Sequence, residues 1–174
     1  MGQSEQPEPF DRDEHLTFIA EQFDKDQPLL STVLKGHLLI EDCLERAMRE
    51  LMPNFELIEQ ARLSFHQKQL ITRSISAAFD NGDERKIWTL ISKYNKLRNQ
   101  LAHNLNAETN NKVRDLLHAM RSLLIEIHPD NRDSLTQVEE HIGDQDVAIA
   151  QIAAVMVLGE LADLVEALQT LPTS

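Results

Sequence analysis

The chain has a single cysteine, Cys43, among its 174 residues. No internal disulfide can form, and the pattern fits a reducing compartment such as the cytoplasm. No stretch shows the two-residue period of a half-buried strand, and there is no repeat or low-complexity tract. The opening residues are polar and acidic and hold no apolar signal core. Gln6 stands where N-myristoylation needs Ser or Thr. The longest nearly apolar run, 147–158, is followed by Glu160 and Asp163. It is too short and too charged to span a bilayer, so no membrane role is expected. None of the histidines (His15, His37, His66, His103, His118, His128, His141) shows His-x-x-x-His or Glu-x-x-His spacing on one helix. Neither a metal nor another cofactor is expected. No DNA-reading helix-turn-helix stands out, which argues against sequence-specific DNA binding.

What the chain does contain is helical periodicity. Residues 1–13 are polar, lack it, and are expected to form a disordered or loosely docked tail. Residues 14–171 are expected to form one domain. Helices are predicted over 14–23, over 28–51 (opened by Pro28 and stopped by Pro53), over 65–79, over 83–105, over 110–127 and over 144–168. Residues 54–62 are ambiguous, and 132–143 suggest at most a short helical turn inside a loop. Ser64 and Gln67 have the spacing of a capping box. Expected core positions include Leu30, Val33, Ile40, Leu44 and Met48 on the second helix, with Leu70 and Ile71 on the third. Gly36, inside a helix at a cost of about 1 kcal/mol against Ala, implies the close approach of another helix. The segment 147–158 is apolar nearly all round, which marks a buried helix, either at the centre of a bundle or also at a dimer contact. The expected architecture is an all-α, up-and-down bundle of five to six helices.

Charge is unevenly spread. From Gln60 to Arg121 there are 11 Lys and Arg against 5 Asp and Glu, a surplus of six in a chain whose formal charge is −12. The overall charge excludes a whole-surface polyanion binder. The central segment suggests either ordinary solvated helix faces or a basic surface to which Lys93 and Lys96 contribute.

The stretch with chemistry in it is Leu97-Arg98-Asn99-Gln100-Leu101-Ala102-His103-Asn104-Leu105. An Arg offers a planar fork to phosphate oxygens, and a His exchanges protons near neutral pH. Together they can act on an RNA phosphodiester without a metal, since the 2′-hydroxyl is an internal nucleophile. Five residues along a helix turn through about 500°, so Arg98 and His103 diverge by about 140°, whereas Asn99 and His103 share a face. Two copies meeting across a two-fold axis would assemble the pair better than one helix. The bland readings are that Arg98 pairs with Glu41 and that His103 caps the helix C-terminus. His37 and Glu41, four apart, could support the same pocket or form a core polar contact. Trp88, Tyr94 and Cys43 are expected in the core.

This stretch resembles the Arg-x(4–6)-His signature of the HEPN superfamily (higher eukaryotes and prokaryotes nucleotide-binding), including the polar residue after the Arg, here Asn99. The runs Gly36 to Glu41 and Leu63 to Lys68 also resemble that family's context, nearest to its mannitol-repressor-like bacterial branch. The resemblance covers roughly residues 30–127. It implies a helical bundle, usually a homodimer. In many members it implies a metal-independent endoribonuclease, often a toxin with an antitoxin partner. Carried over, Arg98 would bind phosphate, His103 would act as acid and base, and Asn99 would orient. The mannitol-repressor-like branch implies instead a non-catalytic regulator of transcription acting through protein partners. Both readings stay open on the sequence.

Overall fold

The computed structural model describes residues 11–23, 26–76, 84–103, 111–127, 129, 132–142 and 144–170. Among them the structure is all α-helical. The helices are α1 (Arg12–Glu21), α2 (Leu29–Leu51), α3 (Phe55–Glu59), α4 (Phe65–Ile75), α5 (Glu84–His103), α6 (Asn111–Ile127), α7 (Arg132–Ile142) and α8 (Gln145–Gln169). The six longer helices expected from periodicity are present. The ambiguous 54–62 segment holds the short α3. The segment 132–142 is a correction: it is an 11-residue helix rather than a turn in a loop. Its anchor is Glu139, which takes both Nε and Nη2 of Arg121 on α6 at 2.7 and 3.2 Å. Helix α1 begins at Arg12, two residues inside the predicted tail, whose residues 1–10 lie outside the described ones. The predicted ends at Asp83 and at 104–106 lie outside the described residues.

Helix α8 is the centre of the bundle. Asp144 caps it, its carboxylate accepting from the amides of Asp146 and Val147. Its sequence is long and apolar enough to cross a membrane, but 61% of that apolar window is buried inside the protein. A helix apolar on all sides is stable in water only when neighbours cover it. The most extensive packing in the molecule is α2 against α8, and α1, α5, α6 and α7 also contact α8. The α2–α8 contact depends on Gly36. A Cβ there would stand 2.2 Å from Tyr94 Oη and 2.9 Å from the Ala154 Cβ. The glycine lets the fully buried Tyr94 ring cross α2, its hydroxyl 3.5 Å from the Thr32 carbonyl.

Helix α5 buries Ile87, Leu90, Ile91, Tyr94, Leu97 and Leu101 on one stripe, as its spacing predicts. Trp88 is buried beside them, and Cys43 is buried on α2, where burial pushes its thiol up to about 12. Two expected core leucines are corrections: Leu30 is 37% exposed and Leu70 is 49% exposed. On α4 the inward stripe is Phe65, Gln69, Thr72 and Ser76, polar at three positions of four. Two of these side chains, Gln69 and Thr72, serve as inter-helix ties, while Ser76 Oγ turns back to the Arg73 carbonyl. Gln69 Nε2 donates to the Trp88 carbonyl and to Ser92 Oγ at 3.0 and 2.7 Å. Thr72 Oγ1 donates to the Leu44 carbonyl at 3.4 Å. The Ser64–Gln67 capping box starts α4 as read from the sequence.

Candidate functional site

The hydrophobic stripe of α5 faces the core, so its polar residues are held on the flanks. Asn95, Asn99 and His103 are spaced by four and follow one face. Arg98 stands three residues after Asn95, one turn along. Asn95, Arg98 and Asn99 are each half-buried, whereas His103 is exposed at the last residue of the helix. Lys93 is half-buried and Lys96 exposed.

Helices α2, α4 and α5 bring a polar cluster together around His37. The His37 ring stacks on Phe65 of α4, centroids 4.1 Å apart and planes 28° apart. Its Nε2 lies 3.1 Å from Asn95 Oδ1 on α5. With a carbonyl oxygen facing it, Nε2 carries the hydrogen in the neutral ring. Its Nδ1 is 3.9 Å from Glu41 Oε2, close for a charge but too long for a hydrogen bond. Burial lowers the His37 pKa below the ordinary imidazole value, and the nearby charges of Arg98 and Lys68 lower it further. The Asn95 hydrogen bond and Glu41 oppose this without overcoming it.

The expected Arg98–Glu41 pair does not form. Lys68 takes Glu41 instead, Nζ to Oε1 at 2.6 Å, and also pairs with Glu45. Burial works against the Lys68 ammonium, but the two carboxylates outweigh it and hold its pKa above the usual lysine value. Arg98 is left with a neutral neighbour: its Nη1 donates to Asn99 Oδ1 at 3.0 Å. Its Nε is buried and has no hydrogen-bond partner among the described residues. A guanidinium with a buried free donor and, among the described residues, no carboxylate partner is suited to an oxyanion.

Of the residues singled out in the sequence, the structure gathers His37, Glu41 and Arg98 around one cluster, with Asn99 as the partner of Arg98. His103 stands apart at the end of α5 with no polar partner among the described residues. Sequence reasoning missed Asn95, Lys68 and Phe65. Only the four-residue step from Asn95 to Asn99 could have drawn attention to the first. Among the described residues, no three His, Cys, Asp or Glu stand together as metal ligands.

The basic middle of the chain is partly neutralised by the fold. Lys68 meets Glu41 and Glu45, Lys86 meets Glu126 at 3.5 Å, and Arg121 meets Glu139 at 2.7 Å. All four acids come from outside the Gln60 to Arg121 segment.

No family model matches the chain, and no curated protein or solved structure matches it.

Proposed function

We propose that the chain is a HEPN-like dimeric protein that cleaves RNA phosphodiesters without a metal. Arg98 holds the phosphate, Asn99 orients Arg98, and His103 moves the proton. The observation that supports this reading is a guanidinium with no carboxylate partner among the described residues. Glu41 is within the same cluster but is committed to Lys68, so a half-buried cation is left without a carboxylate among the described residues, five positions before the imidazole. An arginine kept only for packing would be expected to carry a carboxylate partner, since burying a lone charge is costly. His103, exposed and turned away from Arg98, supports a composite site in which each protomer supplies one of the two groups. Lys93 and Lys96 on the same helix would guide the RNA strand.

The test is RNA cleavage in EDTA by the wild type, His103→Ala and Arg98→Gln. Each variant alone should lose at least about 100-fold, the scale of a lost acid–base group. Mixing the two variants should restore roughly a quarter of wild-type activity, because random pairing makes half the dimers mixed and each mixed dimer has one complete site. A folded dimer that cleaves none of a varied set of RNAs would overturn the reading.

The separation of Arg98 from His103 within one protomer also favours a second reading, a non-catalytic regulator of the mannitol-repressor-like type. In that reading the bundle binds a protein partner, an antitoxin or regulatory protein, and the neutralised basic segment has no RNA to attract. Partner capture that survives both substitutions, without cleavage, would favour it.

A further inference from the structure

We infer that His37 is a positioning residue for anion binding at Arg98, and that its charge state and the anion's occupancy are coupled. The inference rests on reading Arg98 as the phosphate holder; it does not require that the bound phosphodiester be cleaved.

The geometry makes a continuous ladder. Lys68 holds Glu41, Glu41 faces His37 Nδ1, and His37 Nε2 meets Asn95 Oδ1. Asn95 then stands one turn before Arg98, whose guanidinium rests on Asn99. Stacking on Phe65 holds the plane of the imidazole, and within that plane Nε2 is held on Asn95 Oδ1. The ring therefore pins the segment of α5 from which Arg98 projects.

The same ring senses charge. The charged groups facing it are Glu41 from its own helix, Lys68 from α4 and Arg98 from α5. From α8 the neighbour at this level is Ala154 against Gly36, which brings no charge. Nε2 is already committed to Asn95, so a second proton would enter at Nδ1, on the side of Glu41. That protonation is opposed by Arg98. A phosphodiester seated on Arg98 cancels the opposing charge and favours the proton. By reciprocity, the protonated ring tightens the anion by the same factor.

The experiment uses thymidylylthymidine, a phosphodiester that lacks the 2′-hydroxyl and so cannot be cleaved by internal attack. It keeps one negative charge across the range tested. Its affinity for the full chain is measured at intervals from about pH 8 to about pH 5, where an imidazole titrates. The imidazole resonances are followed by NMR with and without the dinucleotide. In His103→Gln, which takes the other imidazole proposed to reach the anion out of the titration, affinity should still rise about 5-fold as pH falls, at the low end of typical couplings. The His37 resonance should titrate at higher pH when the dinucleotide is bound. Adding His37→Gln, whose amide can still donate to Asn95, to the His103→Gln protein should leave affinity flat with pH. Arg98→Gln should abolish binding and raise the His37 titration even without ligand.

The wild-type resonance needs no variant to fold, so the inference stays testable if His37→Gln is unstable. Binding that leaves the His37 titration unmoved would overturn the coupling and leave the nuclease reading standing. No binding at all would overturn both. Binding with the coupling, but no RNA cleavage, would support the inference and remove the nuclease reading alone.

Discussion

Lys68 and Arg98 face the same imidazole from neighbouring helices, and the fold treats them in opposite ways. Lys68 is a side chain only 13% exposed and is enclosed by two carboxylates. Arg98 is half-buried, and among the described residues its hydrogen-bond partner is the neutral Asn99. Glu41, beside the same imidazole, goes to the lysine. An ammonium is a compact charge that two separate carboxylates can share, while a guanidinium presents a flat fork suited to two oxygens of one anion. The arrangement spends the acids on the cation that ties α4 to α2 and leaves the fork open. One cation is structural, and the other is available.

The largest expected effect breaks the frame that both cations depend on. Gly36→Ala puts a methyl 2.2 Å from Tyr94 Oη, where neither the buried ring nor Ala154 can withdraw. Overpacking of this kind costs about 1–3 kcal/mol, against a helix-propensity gain of about 1 kcal/mol. A 2.2 Å contact with a fully buried ring puts the cost at the upper end of that range, so we expect a net loss of about 2 kcal/mol, read as a shift in urea midpoint at constant slope. Adding Tyr94→Phe removes the nearest clashing atom and should recover part of that loss. A Gly36→Ala protein as stable as the wild type would show that α2 is not held where His37 needs it.

The next effect separates the two cations directly. Lys68→Met leaves Glu41 and Glu45 facing each other without their partner and should cost about 1–2 kcal/mol. Arg98→Gln removes no carboxylate contact and should change stability by no more than about 0.5 kcal/mol. Paired urea titrations decide it. Equal losses for both would mean that Arg98 is as structural as Lys68 and would weaken the phosphate-holding reading.

The sequence made one side of this contrast visible and concealed the other. Apolar periodicity placed α5 and its stripe from Ile87 to Leu101, and Gly36 announced the close approach that Tyr94 makes. Ser64 and Gln67 announced the start of α4. These signals are local, or depend only on which face must avoid water. The inward face of α4 was not legible, because Gln69 and Thr72 are buried by bonding to carbonyls of other helices. Apolar residues therefore seemed the better choice, and Leu70 was assigned to a core it does not enter. The helix α7 was hidden for the same reason, since its tie to Arg121 lies 18 residues away in the chain. Of the candidate site, Arg98 and His103 stand out in the sequence by residue type within one short stretch. Their supports, Asn95 and Lys68, do not, because a partner 58 or 27 residues distant leaves no periodic trace. The central surplus of positive charge was real in sequence, yet its acids were supplied from the flanks by folding.

The smallest expected effect concerns the imidazole between the two cations. In the folded chain its pKa is lowered by burial and then by Arg98 and Lys68. An unfolded chain protonates His37 near the ordinary value of 6.5, where the folded chain still holds it neutral. Across that interval the unfolded state binds more protons, so stability rises with pH. The contribution is therefore complete above about pH 7 and declines as pH falls below about 6.5. It becomes level once the folded ring also takes its proton. His37→Gln cannot titrate and should lack this segment of the profile. Carboxylates change stability at lower pH in both proteins, so the informative quantity is the difference between their urea midpoints, plotted against pH. That difference should slope between about pH 7 and the folded pKa and be flat above. Arg98→Gln should narrow the sloping interval by removing one of the charges that opposes the proton. Lys68→Met removes another such charge but also releases Glu41 beside Nδ1, so it should narrow the interval more. If the two substitutions acted alike, Glu41 would not be the group through which Lys68 reaches the ring.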